Sequence, residues 1–204
     1  MNLKSAVIFT AISLMLNLLS CQKEKDPEIS VIPQPLSMVQ TSGIYKLTPG
    51  VKIVVPDEAG LSDQSGFLKS RILKATGFDL KVVKKSSGKT ISLLMEKGLE
   101  GTLGTEGYSL SVSKKEVKVL AATPAGVFYG IQSLLQLLPP EIYADKVTEG
   151  IKWIMPLVKI TDKPRFVWRG FLLDVSRHFF PASYIYDVLD YMAVHKLNRF
   201  QMHL

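Results

Sequence analysis

The thirteen residues from Trp168 to Phe180 constrain the fold of this chain more than any other stretch. They read W-R-G-F-L-L-D-V-S-R-H-F-F, an apolar run closed by Asp174, Ser176, Arg177 and His178. Such a run predicts a buried strand, and parallel α/β folds place their ligand-binding groups at the C-terminal rim of their strands. From Pro181 onward Ile185, Val188, Leu189, Met192 and Ala193 recur at i, i+3, i+4, i+7 and i+8, the stripe of a helix laid on a sheet. Lys196 and Asn198 supply the stop of that helix. Residues 199–204 then alternate polar and apolar side chains, as a strand does. The pattern is one βα unit and the start of another.

Upstream, residues 30–158 read as an α+β domain. Strands are expected at 52–55, 80–83 and 91–95, and a helix at 62–76 that Gly77 stops. Segments 108–112 and 117–121 flank Ser113-Lys114-Lys115-Glu116 as a hairpin. Thr123 caps and Pro124 opens a helix whose Val127, Phe128, Ile131, Leu134, Leu135 and Leu138 form one face, and Pro139-Pro140 ends it. Spacing assigns Phe128 to the core, whereas Tyr129 stays open between core and sugar platform. A polar loop over 141–150 leads to a last strand at 151–158 and the domain junction.

Composition narrows the chemistry. With 47% hydrophobic and 21% charged residues the chain can pack a core of one moderate domain. Its net charge of +7 is spread through pairs such as Lys84-Lys85 and Lys114-Lys115 in apparent turns, without interleaved aromatics, so no nucleic-acid partner is expected. His178, His195 and His203 lack the i, i+4 spacing and cysteine partners of common metal sites, and no Gly-rich phosphate loop or G-x-S-x-G elbow occurs. No metal or cofactor is expected. The adjacent acidic pair Asp57-Glu58 lies between Pro56 and Gly60, where carboxylates favour turns and helix N-termini, and reads as a turn.

The first residues carry an export signature. Lys4 precedes an apolar run over residues 6–19, too short to span a bilayer, which reads as a signal peptide over residues 1–20. The following Leu18-Leu19-Ser20-Cys21 resembles a bacterial lipoprotein signal, with Cys21 as the acylated first residue of the mature chain. Acylation accounts for the single cysteine, and several acyl chains on one residue give stable attachment to a membrane. The alternative is a free thiol in a discarded segment. Residues 21–29, charged and broken by Pro27, then form a flexible tether. The expected location is an exported, membrane-anchored lipoprotein of the periplasm or cell surface.

The segment W-R-G-F-L-L-D-V-S-R-H-F-F, with Tyr191 to Leu204 (Y-M-A-V-H-K-L-N-R-F-Q-M-H-L), resembles the opening of the catalytic barrel of glycoside hydrolase family 20, the β-N-acetylhexosaminidases. Val31 to Pro35 (V-I-P-Q-P), Gly107 to Leu110 (G-Y-S-L) and Ala125 to Leu138 look like the small α+β domain that precedes the barrel in these enzymes. The resemblance implies an α+β N-terminal domain followed, over residues 159–204, by the truncated start of a (β/α)8 TIM barrel. A closed barrel takes about 250 residues. It also implies a retaining exo-hydrolase of terminal N-acetylhexosamine on glycans, in which the substrate's own acetamido oxygen is the nucleophile. An intramolecular nucleophile already beside its target has little entropy left to lose, so the protein need not supply one.

The family's protein groups are an adjacent Asp-Glu pair, Asp to orient the acetamide and Glu to protonate the leaving oxygen. That pair belongs beyond Leu204, so the resemblance implies no catalytic residue within these 204 residues and no activity for them alone. Of the family's substrate contacts only one falls on this sequence, Arg177, which would grip ring hydroxyls in the −1 subsite. A planar guanidinium with several fixed donors suits two neighbouring hydroxyls. From the residues alone, a structural ion pair with a nearby carboxylate is the more usual role of such an arginine. Asp174 and His178 flank it as candidate orienting groups, and Arg169 reads as structural. Two other readings stand beside this one. One is a non-catalytic surface lipoprotein that uses the α+β domain for glycan or partner binding; the other is a family 67 α-glucuronidase, against which the Arg177 segment counts.

Overall fold

A computed structural model describes residues 27–56 and 60–204. The signal segment, Cys21, most of the tether and the Asp57-Glu58 pair lie outside the described residues.

The first domain forms where hydrophobic periodicity predicts it. Strand β1 spans Ser37–Lys46 and β2 Lys52–Val54; helix α1 spans Ser62–Thr76, followed by β3 at Lys81–Val83 and β4 at Thr90–Met95. A short helix α2, Glu100–Leu103, leads to the hairpin β5 (Tyr108–Val112) and β6 (Glu116–Ala121), then helix α3 (Pro124–Gln136) and strand β7 (Ile154–Asp162). Helix α1 stops because Gly77 takes φ 76° and returns its N–H to the Leu73 carbonyl at 2.9 Å. Helix α3 starts where the Thr123 hydroxyl accepts the Gly126 N–H at 3.2 Å.

The seven strands lie in the order β1-β7-β5-β6-β4-β2-β3. Strands β3, β2, β4 and β6 pair parallel, while β6, β5, β7 and β1 pair antiparallel. Alternation in β5 and β6 buries Tyr108, Leu110 and Val112 with Val117, Val119 and Ala121. Val127, Ile131, Leu134 and Leu135 of α3 are buried with them. The approach is close: a Cβ on Gly130 would lie 2.5 Å from Val119 Cγ1.

Two strands depart from the sequence reading. Strand β1 gave no alternating signal, because it is a mostly exposed edge strand interrupted at Gly43, where the register with β7 shifts between Thr41 and Ile44. Strand β7 begins three residues later than expected and runs four residues past Val158, because Lys159 and Thr161 alternate with the buried Ile160 while pairing with both β1 and β5. The sheet of the first domain therefore extends to Asp162. Helix α3 stops at Gln136, before Leu138, and a short 3₁₀ turn at Pro140–Tyr143 buries Ile142 within the expected loop.

Beyond β7 come strand β8 (Gly170–Asp174), helix α4 (Ala182–Val194) and strand β9 (Arg199–His203). Strands β8 and β9 pair in parallel, with Gly170 opposite Arg199 and Asp174 opposite His203. The apolar run of β8 is less covered than its composition predicts: Leu173 is buried, but Phe171 and Leu172 are exposed. Helix α4 buries Val188 and Met192, whereas Leu189 is exposed. Among the described residues, no helix is long and apolar enough to cross a membrane.

Candidate functional site at the end of the parallel strand pair

The polar residues that close β8 form a cluster around one carboxylate. As the chain leaves the strand, Val175 N–H bonds the His203 carbonyl at 3.1 Å, so the end of β9 holds the start of the turn. Asp174 Oδ1 then accepts the backbone N–H groups of Ser176 and Arg177, each at 3.1 Å, and the Ser176 hydroxyl at 3.3 Å. An aspartate at such a turn commonly ties down the backbone that follows it. Its other oxygen, Oδ2, accepts Arg177 Nη1 at 3.0 Å. His203 Nδ1 lies 3.3 Å from Asp174 Oδ1 and 3.5 Å from Ser176 Oγ.

These contacts set the electrostatics. The Asp174 carboxyl is held below the usual carboxylate value, first by the Arg177 backbone N–H, against partial desolvation, with His203 and Ser176 adding to the effect. The Arg177 side chain is 83% exposed. The ion pair is therefore wet. One edge of the guanidinium is braced by Asp174, and among the described residues its remaining donors meet no protein partner. A half-fixed guanidinium at the C-terminal end of parallel strands can receive a pair of hydroxyls or an anion.

The structure separates the two neighbours expected to orient Arg177. Asp174 does so. His178 instead packs edge-on against Phe180, with ring centroids 5.4 Å apart. The residue that sequence reading missed in the cluster is His203. The available signal was register: parallel pairing of the two strands at their apolar residues brings the end of the second strand beside Asp174.

A second polar group joins the βα unit to the first domain. Arg169, just before β8, donates Nε to the Lys196 carbonyl at 2.7 Å and Nη1 to Glu106 Oε2 at 2.8 Å, with its guanidinium 5.6 Å from the Tyr129 ring centre. Asn198 Nδ2 donates to Glu106 Oε1 at 3.0 Å. Lys196, at φ 58°, sends Nζ to Asp162 Oδ2 at 2.9 Å and to the Tyr108 hydroxyl at 2.8 Å. Burial lowers the Lys196 pKa despite Asp162, and burial together with the Asp162 charge raises that of Tyr108. Burial alone would raise the Glu106 pKa, but hydrogen bonds from Arg169 and Asn198 and the charges of Arg169 and Arg199 outweigh it and lower the value. A cavity of about 400 Å³ at this junction is lined by Tyr129, Phe166, Arg169 and Lys196 among others. Tyr129 is buried beneath Arg169, which removes it as an open sugar platform; Phe128, expected in the core, is instead only partly buried, packing against Phe67 at the edge of the core. Arg169 is a structural group, as expected.

Residues 28–163 match the profile of glycosyl hydrolase family 20, domain 2, and residues 166–204 match that of the family's catalytic domain. The chain belongs to glycosyl hydrolase family 20. The change from one family 20 profile to the other falls just after the end of β7. A β-hexosaminidase of Porphyromonas gingivalis is 31% identical over 212 residues, which cover 99% of this chain and 27% of that protein. Among solved structures, the family 20 β-N-acetylhexosaminidase of Streptomyces coelicolor is similar with a TM-score of 0.78 at 35% identity, covering 85% of this chain and 34% of that one. A mutant Streptomyces plicatus β-hexosaminidase in complex with its product GlcNAc gives 0.77 at 36% identity, with the same coverage. The chain thus spans between a quarter and about a third of these relatives.

Proposed function

We propose that this chain is the N-terminal part of an exo-acting β-N-acetylhexosaminidase that releases terminal N-acetylhexosamine from glycans by substrate-assisted, retaining catalysis. Residues 170–203 are the opening βα unit and second strand of its (β/α)8 barrel, and Arg177 binds hydroxyls of the sugar in the −1 subsite. The observation that carries this reading is the placement of Arg177, braced by Asp174 at 3.0 Å and otherwise open to solvent at the C-terminal end of the strand pair. The similar S. plicatus enzyme, solved with GlcNAc, supports the sugar class.

The chemistry divides between substrate and protein. The acetamido oxygen closes on the anomeric carbon as the glycosidic oxygen leaves with a proton, and water then reopens the oxazolinium ring with retained configuration. The acidic pair for those proton transfers is not supplied by the βα unit, where Asp174 is committed to its turn. The 204 residues alone are therefore inactive. Cys21 carries the lipid anchor that holds the enzyme on the membrane of an exporting bacterium.

Two measurements test the reading. The nucleotide sequence after the Leu204 codon is expected to run on in frame through further βα units to an Asp-Glu pair. The purified 204-residue chain is expected to leave a chromogenic N-acetylglucosaminide intact, and turnover above the buffer blank would refute the inactivity. The non-catalytic surface-lipoprotein reading gains nothing from Tyr129, which is buried under Arg169.

A further inference from the structure

We infer that His203 is a positioning residue for Arg177, acting through Asp174. The inference deepens the proposed function and rests on its assignment of Arg177 to the sugar. Asp174 is the only protein group that touches the Arg177 guanidinium among the described residues, and both of its oxygens are engaged on the 174–177 turn. The turn itself holds Oδ1 through the Ser176 and Arg177 N–H groups, and β9 adds a contact from outside the turn. His203 Nδ1 meets Asp174 Oδ1 at 3.3 Å, and the His203 carbonyl accepts Val175 N–H at 3.1 Å.

The parallel register puts only His203 opposite Asp174; a slip of one residue would present Met202 or Leu204, neither able to donate from its side chain. The ring therefore adds to the turn's own hydrogen bonds in fixing the plane of the Asp174 carboxylate. With Oδ1 held, Oδ2 faces Arg177 Nη1, and the guanidinium keeps one edge braced and the other free. His203 needs no contact with substrate to do this; its Nδ1 lies 3.3 Å from Asp174 Oδ1 and 3.5 Å from Ser176 Oγ, within reach of both groups that shape the turn.

The test has two arms. In the 204-residue chain, ¹⁵N relaxation at Arg177 Nε reports the order of the guanidinium without any sugar. Wild type is expected to be ordered relative to Arg165 and His203→Ala to lose that order, while His203→Asn, whose side-chain amide N–H can replace Nδ1–H, restores it. In the full-length product of the gene, His203→Ala is expected to lower kcat/KM on a chromogenic N-acetylglucosaminide about fivefold, within the range for one lost hydrogen bond, chiefly through KM. His203→Asn recovers it. Should His203→Ala fail to give a folded amide fingerprint, His203→Leu replaces it, keeping a side chain on β9 without the donor.

Arg177 order and kcat/KM unchanged in His203→Ala would overturn the inference, as would equal losses in His203→Asn. If Arg177 loosens in His203→Ala but wild type shows no turnover, or Arg177→Ala leaves kcat/KM intact, the brace stands and the sugar-binding role of Arg177 falls.

Discussion

Asp174 and Glu106 show how differently a carboxylate is used in this molecule. Asp174 is tied to its own turn and held below the ordinary carboxylate value, 3.8, first by the Arg177 N–H. A depressed carboxyl keeps its interactions above the unfolded value and loses them as pH falls through its lower folded value. The Arg177 brace is therefore expected to be intact at pH 7 and to open only below pH 3.8; carboxyl ¹³C shifts should show that late step, and Asp174→Asn should remove it. Glu106 reaches across domains to Arg169 and Asn198, and its value is likewise lowered, from 4.5. The same sign applies: its contribution to stability is present above pH 4.5 and fades below it. Glu106→Gln should flatten the loss of stability between pH 5 and pH 3 in urea titrations, where an unchanged slope would show the contact to be idle. Arg177 could be singled out because its segment resembles a known family's, and its brace by Asp174 lies within four residues. His203 could not, since its role exists only once β8 and β9 are aligned.

Elements here are stabilised by close packing and by a few buried charges. Gly130 lets α3 approach β6, and an added Cβ would meet Val119 Cγ1 at 2.5 Å, a contact that cannot be kept without moving the helix. Gly130→Ala is expected to destabilise the first domain by about 1–3 kcal/mol, the usual cost of overpacking, read from the urea midpoint. Lys196 ends α4 and delivers its ammonium to Asp162 and Tyr108. Lys196→Met would fill the space but leave the Asp162 charge unpaired, at a cost of about 3 kcal/mol; a smaller loss would mean that the Leu36 N–H and the Tyr108 hydroxyl, which also reach Asp162, satisfy it. The helices and inner strands were legible because caps and alternation act within a dozen residues. Strand β1 was not. It is exposed, it carries a bulge, and the strand that stabilises it begins more than a hundred residues later.

Across the whole molecule coverage is uneven. The first domain closes its core around Tyr45, Tyr108, Leu68, Ile91 and Leu134, all fully buried. The βα unit leaves Trp168, Leu172, Phe179, Tyr186 and Tyr191 exposed, and it is fastened by the polar contacts around Arg169 and Lys196. Amide exchange is therefore expected to be slowest in β4, β5 and β6 and much faster in β8 and β9, because a two-stranded sheet has little independent stability. Equal protection in both sheets would contradict this.

The pairing of β1 with β7 also shapes the order of assembly on the ribosome. Among the described residues, the first strand along the chain has its sole strand neighbour in the last strand of its domain, with residue 37 opposite residue 161. Strands β2 to β6 with their helices can gather while translation continues, but β1 has to wait, unpaired, until Asp162 has cleared the exit tunnel, and contacts so distant along a chain form late. Nascent chains shorter than that should offer residues 37–46 to a chaperone or protease that the finished domain excludes.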